Sequence, residues 1–195
     1  IIDCGIVRDT PDDLRQAFMQ AAQKADVIIS SGGVSVGEAD FTKQIMEELG
    51  QVGFWKIAMR PGRPMAFGSL KPVSPKTAPT VFFGLPGNPV AVMVTFYQFV
   101  RNALLHLNGA LNPEIPLVSI QSAEAIRKKS GRTEFQRGIL LRDPEGRLLV
   151  KSTGSQGAGI LRSMSEADCF MILHHDQGNI APGDWVDVEI FDGLL

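Results

Sequence analysis

Cysteine is scarce in this chain: two residues in 195, Cys4 and Cys169, far apart and without metal-ligand spacing. That excludes a disulfide framework or a thiolate metal centre, and both are expected to be small buried thiols in a reducing compartment. An excess of charge of one sign is also lacking, with a formal net charge of −2. Lys and Arg are scattered except around residues 56–63, so no nucleic-acid surface is expected. The longest apolar stretches are broken by Gly, Pro, Gln or Arg, so neither a transmembrane helix nor a membrane partner is expected. No signal peptide opens the chain, which points to the cytoplasm. Histidine is scarce too, and adjacent His174 and His175 on one strand point opposite ways as surface residues.

What is present is an alternating pattern. The opening "IIDCGIV" reads as a buried strand already under way, without an initiator Met, as in a fragment of a longer protein. Thr10, Pro11, Asp12 and Asp13 then spell a helix start: an N-cap, proline at N1 and two acids in the first turn. Asp13 stands at capping-box distance from Thr10. "DVIIS" is a short continuous apolar strand, the kind that a parallel sheet buries on both faces. A helix over Phe41–Leu49 is expected to end at Gly50 as its C′ residue. "VGFWKIAMR" reads as extended, "MAFGSL" and "TVFFGL" as strands, and "KPVSPKTAP" between those two as a surface loop. After "LPGNP" comes a helix to about Leu107, apolar almost all round and so expected to be well buried. Beyond "NGALNPEIP" the pattern changes to short strands and turns, including "TEFQRGILLR", "LLVKST", "CFMILHH" and "WVDVEIF". The expected architecture is a three-layer α/β domain over 1–108, a linker at 109–114 and an all-β barrel or sandwich over 115–195.

The chemistry concentrates in a few places. In "SSGGVSVGEADFT", Gly32, Gly33 and Gly37 let backbone N–H groups approach a ligand just beyond a strand's carboxyl end, and Ser35 adds a hydroxyl. A plain tight turn is the competing account of such glycines. Glu38 and Asp40 follow at once and would repel an anion unless a divalent metal lies between, and Mg²⁺ suits carboxylates plus phosphates. Asp40 also stands where a helix N-cap belongs, and Asp9 either faces the same crevice or complements its own helix dipole. In "FWKIAMRPGRP", an extended backbone puts Lys56, Ala58 and Arg60 on one face, while Pro61 and Pro64 hold Arg63 in a loop. Such cations suit an oxyanion, although an edge strand solvates its charges in the same way. "GLPGNPV" is a strand, a turn and a helix start, with Asn88 as N-cap and Pro89 at N1.

Those stretches, followed by "FQRGIL", occur in the order that resembles the MoeA family of molybdopterin molybdenumtransferases, which includes the E domains of gephyrin and of its plant counterpart. The resemblance covers nearly the whole chain and corresponds to the family's C-terminal half. It implies an enzyme that takes adenylylated molybdopterin and molybdate, cleaves the adenylate with Mg²⁺ as metal, and releases molybdenum cofactor and AMP. It implies Asp9 and Asp40 as catalytic, metal-holding acids. Ser35, Lys56, Arg60 and Pro61 match oxyanion-handling positions, with Lys56 in a catalytic role. Pro86, Asn88 and Pro89 match a substrate-crevice turn, and Arg137 with the "SQGAG" loop a more peripheral anion site. A homodimer is implied, with dealings with the upstream adenylyltransferase and recipient molybdoenzymes. The chain departs from the family where Arg60 replaces a common Lys, and where Ala91 and Ala158 replace frequent serines. The alternatives are a molybdopterin adenylyltransferase and a non-catalytic scaffold of the gephyrin type.

Overall fold

The computed structural model describes residues 1–33, 41–74, 76–112 and 114–191. They fall into two compact units, Ile1–Ile57 with Gly62–Asn88, and Ala58–Pro61 with Pro89–Leu195.

In the first unit, helix α1 (Pro11–Lys24) starts as its sequence dictates. The Thr10 hydroxyl accepts the Asp13 N–H and donates to the Asp13 carboxylate, and Pro11 occupies N1. Strand β1 (Val27–Ser31) follows, then α2 (Phe41–Leu49), β2 (Gly50–Lys56), β4 (Pro64–Leu70) and β5 (Thr80–Leu85). The sheet order is β1-β5-β4-β2. Only β1 and β5 pair in parallel, while β4 runs antiparallel to both β5 and β2. The expected parallel sheet is therefore mixed. Phe18 and Ala22 of α1 and Ile45 and Met46 of α2 close over Ile28, Ala66, Leu70 and Phe82 on one sheet face. Each such large apolar side chain, fully buried, contributes roughly 1.5–3 kcal/mol.

Three expectations fail here. Residues 1–7 form no strand, and Ile1, Ile2 and Ile6 are exposed. An apolar run becomes a strand only against a partner, and among the described residues none pairs with it. Cys4, in that segment, is consequently exposed rather than buried. Gly50 does not end α2 as a left-handed cap; it opens β2, and a Cβ there would fall onto the Ser69 carbonyl. Its missing side chain serves the close approach of β2 to β4.

In the second unit, β3 (Met59–Arg60) pairs with β7 (Thr133–Arg142). With β6 (Val118–Ser122), β8 (Leu148–Ser152), β9 (Cys169–Leu173) and β10 (Trp185–Ile190), β7 closes a ring of five strands, because it pairs with both β8 and β9. The mixed α/β unit and the barrel agree with the fold class read from the sequence. Inside the barrel lie Ile120, Val150, Cys169, Met171, Leu173, Val186 and Val188. Burial pushes the Cys169 thiol up to about 12, so it is an inert filler. His174 and His175 lie just past β9, both exposed, and the His174 ring reaches Asp187 at 2.7 Å.

A single helical run, Pro89–Leu107, comprises α3 (Pro89–Thr95), a π turn (Phe96–Val100) and α4 (Arg101–Leu107). Its length and composition would suit a membrane span. Val90, Ala91, Val94, Thr95 and Val100 are nonetheless buried, and Gln98 donates to Glu189 of β10 at 2.9 Å, so one side packs within this unit. The helix is less buried than its apolar surface predicts, since no residue of α4 is buried. Burial raises the pKa of the Glu189 carboxyl, and its Oε1 has no hydrogen-bond partner among the described residues. A short helix α5 (Arg162–Ser165) completes the unit.

Candidate functional site

Strand direction fixes where ligand groups gather in the first unit. Since β4 alone runs opposite to its neighbours, the carboxyl ends of β1, β5 and β2 and the start of β4 share one edge of the sheet. Phe54, Ala66, Gly84 and Ser30 form one row across the four strands. Two residues further along, the chains reach Lys56, Pro64, Pro86 and Gly32. Three inter-strand steps separate Lys56 from Gly32, about 14 Å. Edges of this kind are where open α/β sheets take ligands.

At the β1 end, Gly32 N–H donates to the Leu85 carbonyl at 3.0 Å, and Ser31 Oγ donates to the Pro86 carbonyl at 3.3 Å. Ser31 and Gly32 are thereby tied to the Leu85–Pro86 segment. Gly33 has φ +68°, and a Cβ on it would lie 2.5 Å from Thr42 Oγ1 at the start of α2. Only glycine suits both the conformation and the space.

At the other end stand two cations. Lys56 closes β2 opposite Pro64, and the Ile57 N–H donates to the Arg63 carbonyl at 2.8 Å. Lys56 and Arg63 are exposed and form no ion pair among the described residues. The continuous extended segment expected through Lys56, Ala58 and Arg60 is interrupted. Lys56 belongs to the first unit and Ala58–Pro61 to the second. Asp9 is exposed just before α1, without a hydrogen bond or ion pair among the described residues. Asn88 is exposed, directly ahead of Pro89, the first residue of α3. Ser35, Gly37, Glu38 and Asp40 lie outside the described residues, and among those described no group of three His, Cys, Asp or Glu side chains is placed to hold a metal.

The second unit holds a different feature. Arg137 on β7 has no solvent exposure. Its Nε donates to Ser163 Oγ at 3.0 Å and its Nη2 to the Gly157 carbonyl at 3.3 Å. No carboxylate pairs with it among the described residues. Burial, and after it the positive charge of Arg60, lower its pKa to about 10, so it remains a cation at neutral pH. Arg60 reaches it because β3 lies alongside β7, with Arg60 in register with Glu134, and Pro61 is buried next to it. Two like charges, one fully buried and neither ion-paired with an acid among the described residues, leave guanidinium donors for an oxyanion. The sequence assigned Arg60 and Arg137 to separate anion sites; the fold brings their charges together. It also recruits Ser163, which no motif had singled out.

Comparison with known proteins identifies the family. Residues 1–106 match the family described as Probable molybdopterin binding domain, and residues 119–191 match the MoeA C-terminal region (domain IV). The chain belongs to the MoeA family. Among MoeA relatives, the molybdopterin molybdenumtransferase of Haemophilus influenzae is 41% identical over 196 residues, covering all of this chain and 47% of its own length. Gephyrin of Dictyostelium discoideum is 33% identical over 93% of this chain and 28% of its own. The crystal structure of the molybdopterin biosynthesis MoeA protein from Pyrococcus horikoshii superposes with a TM-score of 0.72 at 28% identity, over 97% of this chain and 43% of that one. The MoeA chain described here thus spans about half the length, or less, of the curated relatives it matches.

Proposed function

We propose that this chain contributes to molybdate insertion in molybdenum cofactor biosynthesis. The substrates are adenylylated molybdopterin and molybdate, and the products are molybdenum cofactor and AMP. The observation that carries the reading is Arg137: a fully buried guanidinium beside the charge of Arg60, with no carboxylate paired to it among the described residues. Bringing a cation out of water unpaired is costly, and a dianion such as molybdate offsets that cost when it binds.

In the first unit, the Gly33 N–H and the side chains of Lys56 and Arg63 hold phosphate groups of the pterin substrate. Their spread of about 14 Å suits an extended, multiply charged ligand rather than a single small ion. The cations stabilise negative charge that develops on phosphate as the adenylate is cleaved. Asp9, an exposed carboxylate, fits an ion that keeps most of its water shell, and with Asp40 it would hold Mg²⁺. When bound, Mg²⁺ would polarise a phosphoryl oxygen. The reading extends to a cytoplasmic homodimer that receives substrate from an adenylyltransferase and passes product to molybdoenzymes.

The test is incubation of the intact protein with adenylylated molybdopterin, molybdate and Mg²⁺. AMP release that depends on molybdate supports insertion. Adenylate formation from ATP would instead make the protein an adenylyltransferase, and no turnover with either substrate would favour a scaffold.

A further inference from the structure

Pairing between β7 and β8 runs from Arg142 opposite Leu148 to Gly138 opposite Ser152, and ends one residue short of Arg137. The Thr153 N–H still donates to the Arg137 carbonyl at 3.1 Å, after which the chain turns away through Gly154. Arg137 would then have an N–H with no ladder partner on that side, a costly loss in a buried strand. The side chain of Gln156 fills the gap. Its Oε1 accepts the Arg137 N–H at 2.8 Å, and its Nε2 donates to the Arg137 carbonyl at 3.1 Å. The same Nε2 reaches Ser152 Oγ at 2.9 Å and Thr153 Oγ1 at 3.1 Å. A side-chain amide thus stands in for a missing length of strand.

The next residue supplies the link to chemistry. Gly157 presents its carbonyl to Arg137 Nη2, and Ser163, whose hydroxyl donates to the Ile160 carbonyl at 2.6 Å, accepts from Nε. Gln156 therefore clamps the loop to the backbone of the residue whose guanidinium that loop orients. We propose that Gln156 is a positioning residue for the anion site, fixing both the backbone and the aim of Arg137 without touching the anion itself. The inference rests on the reading of Arg137 as an oxyanion ligand.

The experiment is a double-mutant cycle in the intact protein, with molybdate alone as probe, Kd read by calorimetry and folding read by thermal unfolding. Gln156→Met keeps side-chain length but removes all four hydrogen bonds. It is expected to weaken molybdate binding about tenfold, the scale of one misplaced charge-assisted hydrogen bond. In an Arg137→Ala background, the same change is expected to cost nothing further in Kd, since a residue acting through Arg137 has nothing left to position. Equal losses in both backgrounds, or unaltered binding by folded Gln156→Met, would overturn the assignment. Should Gln156→Met not fold, Gln156→Asn replaces it in the same cycle, polar but one methylene too short to reach both backbone atoms. If the unsubstituted protein binds no molybdate, the proposed function fails, and this inference with it.

Discussion

Arg60 and Arg137 bring two positive charges together where a short parallel strand meets the barrel, and no acid among the described residues pairs with either. A stability-driven core would not choose this arrangement. A buried cation with no carboxylate beside it is unfavourable, and under the proposed function a bound anion would offset that cost.

Arg137→Met tests that trade directly. The substitution removes the desolvation cost while filling similar space, and leaves Ser163 Oγ and the Gly157 carbonyl without their donor. Molybdate affinity is expected to fall about 10- to 100-fold, the range of a lost charged hydrogen bond, while Tm changes by no more than about 4 °C. Calorimetric titration and a thermal melt measure the two separately. A large drop in Tm with unchanged affinity would make Arg137 a purely structural residue.

The depressed pKa of Arg137 gives a pH signature. A base whose folded pKa lies below its unfolded value is destabilising while charged, and that burden is relieved as pH rises through about 10. Anion binding follows the opposite course, because it needs the charged form. Molybdate affinity should therefore decline above pH about 10 and recover on return to neutral pH, in titrations on protein checked for native circular dichroism. A flat profile through that range would contradict the assignment.

The glycine loop makes a backbone prediction. Gly33→Ala places a side chain at φ +68° and against Thr42 Oγ1. Roughly 1–2 kcal/mol should be lost from the left-handed conformation alone, with more from the contact. Adding Thr42→Ala should restore part of the loss and not all of it, as urea denaturation of the single and double variants would show. Full restoration would mean that the conformation itself carries no strain.

Lys56→Ala should weaken binding of phosphate-bearing pterin several-fold in about 0.02 M salt. The effect should largely vanish near 1 M, where screening reaches only about 3 Å. An equal effect at both salt concentrations would assign Lys56 a short-range, buried contact that its exposed position at the end of β2 does not suggest.

Which parts of this were legible in the sequence follows from the range of the interactions involved. Thr10, Pro11 and Asp13 act within one helical turn, so α1 could be read directly. The apolar run "TVFFGL" and the turn-bounded "TEFQRGILLR" became β5 and β7, as their β-branched and aromatic residues indicate. Gly50 looks like a helix C′ residue in the sequence, yet its reason for being glycine is Ser69, on the neighbouring strand. Residues 1–7 have strand composition, yet a strand exists only in a pair. Arg60 and Arg137 lie 77 positions apart in the sequence and come within electrostatic reach only through the β3–β7 pairing. Gln156 lies inside the "SQGAG" loop, but its partner is a backbone gap that exists only in the folded barrel.

The central claim is that Arg137, the buried cation of the barrel unit, is a molybdate ligand. Anomalous diffraction at the molybdenum edge from molybdate-soaked crystals tests it most directly. The account predicts a peak within hydrogen-bonding distance of the Arg137 guanidinium, lost in crystals of Arg137→Met. Ordered molybdate elsewhere, with no peak beside Arg137 at saturating concentration, would contradict it.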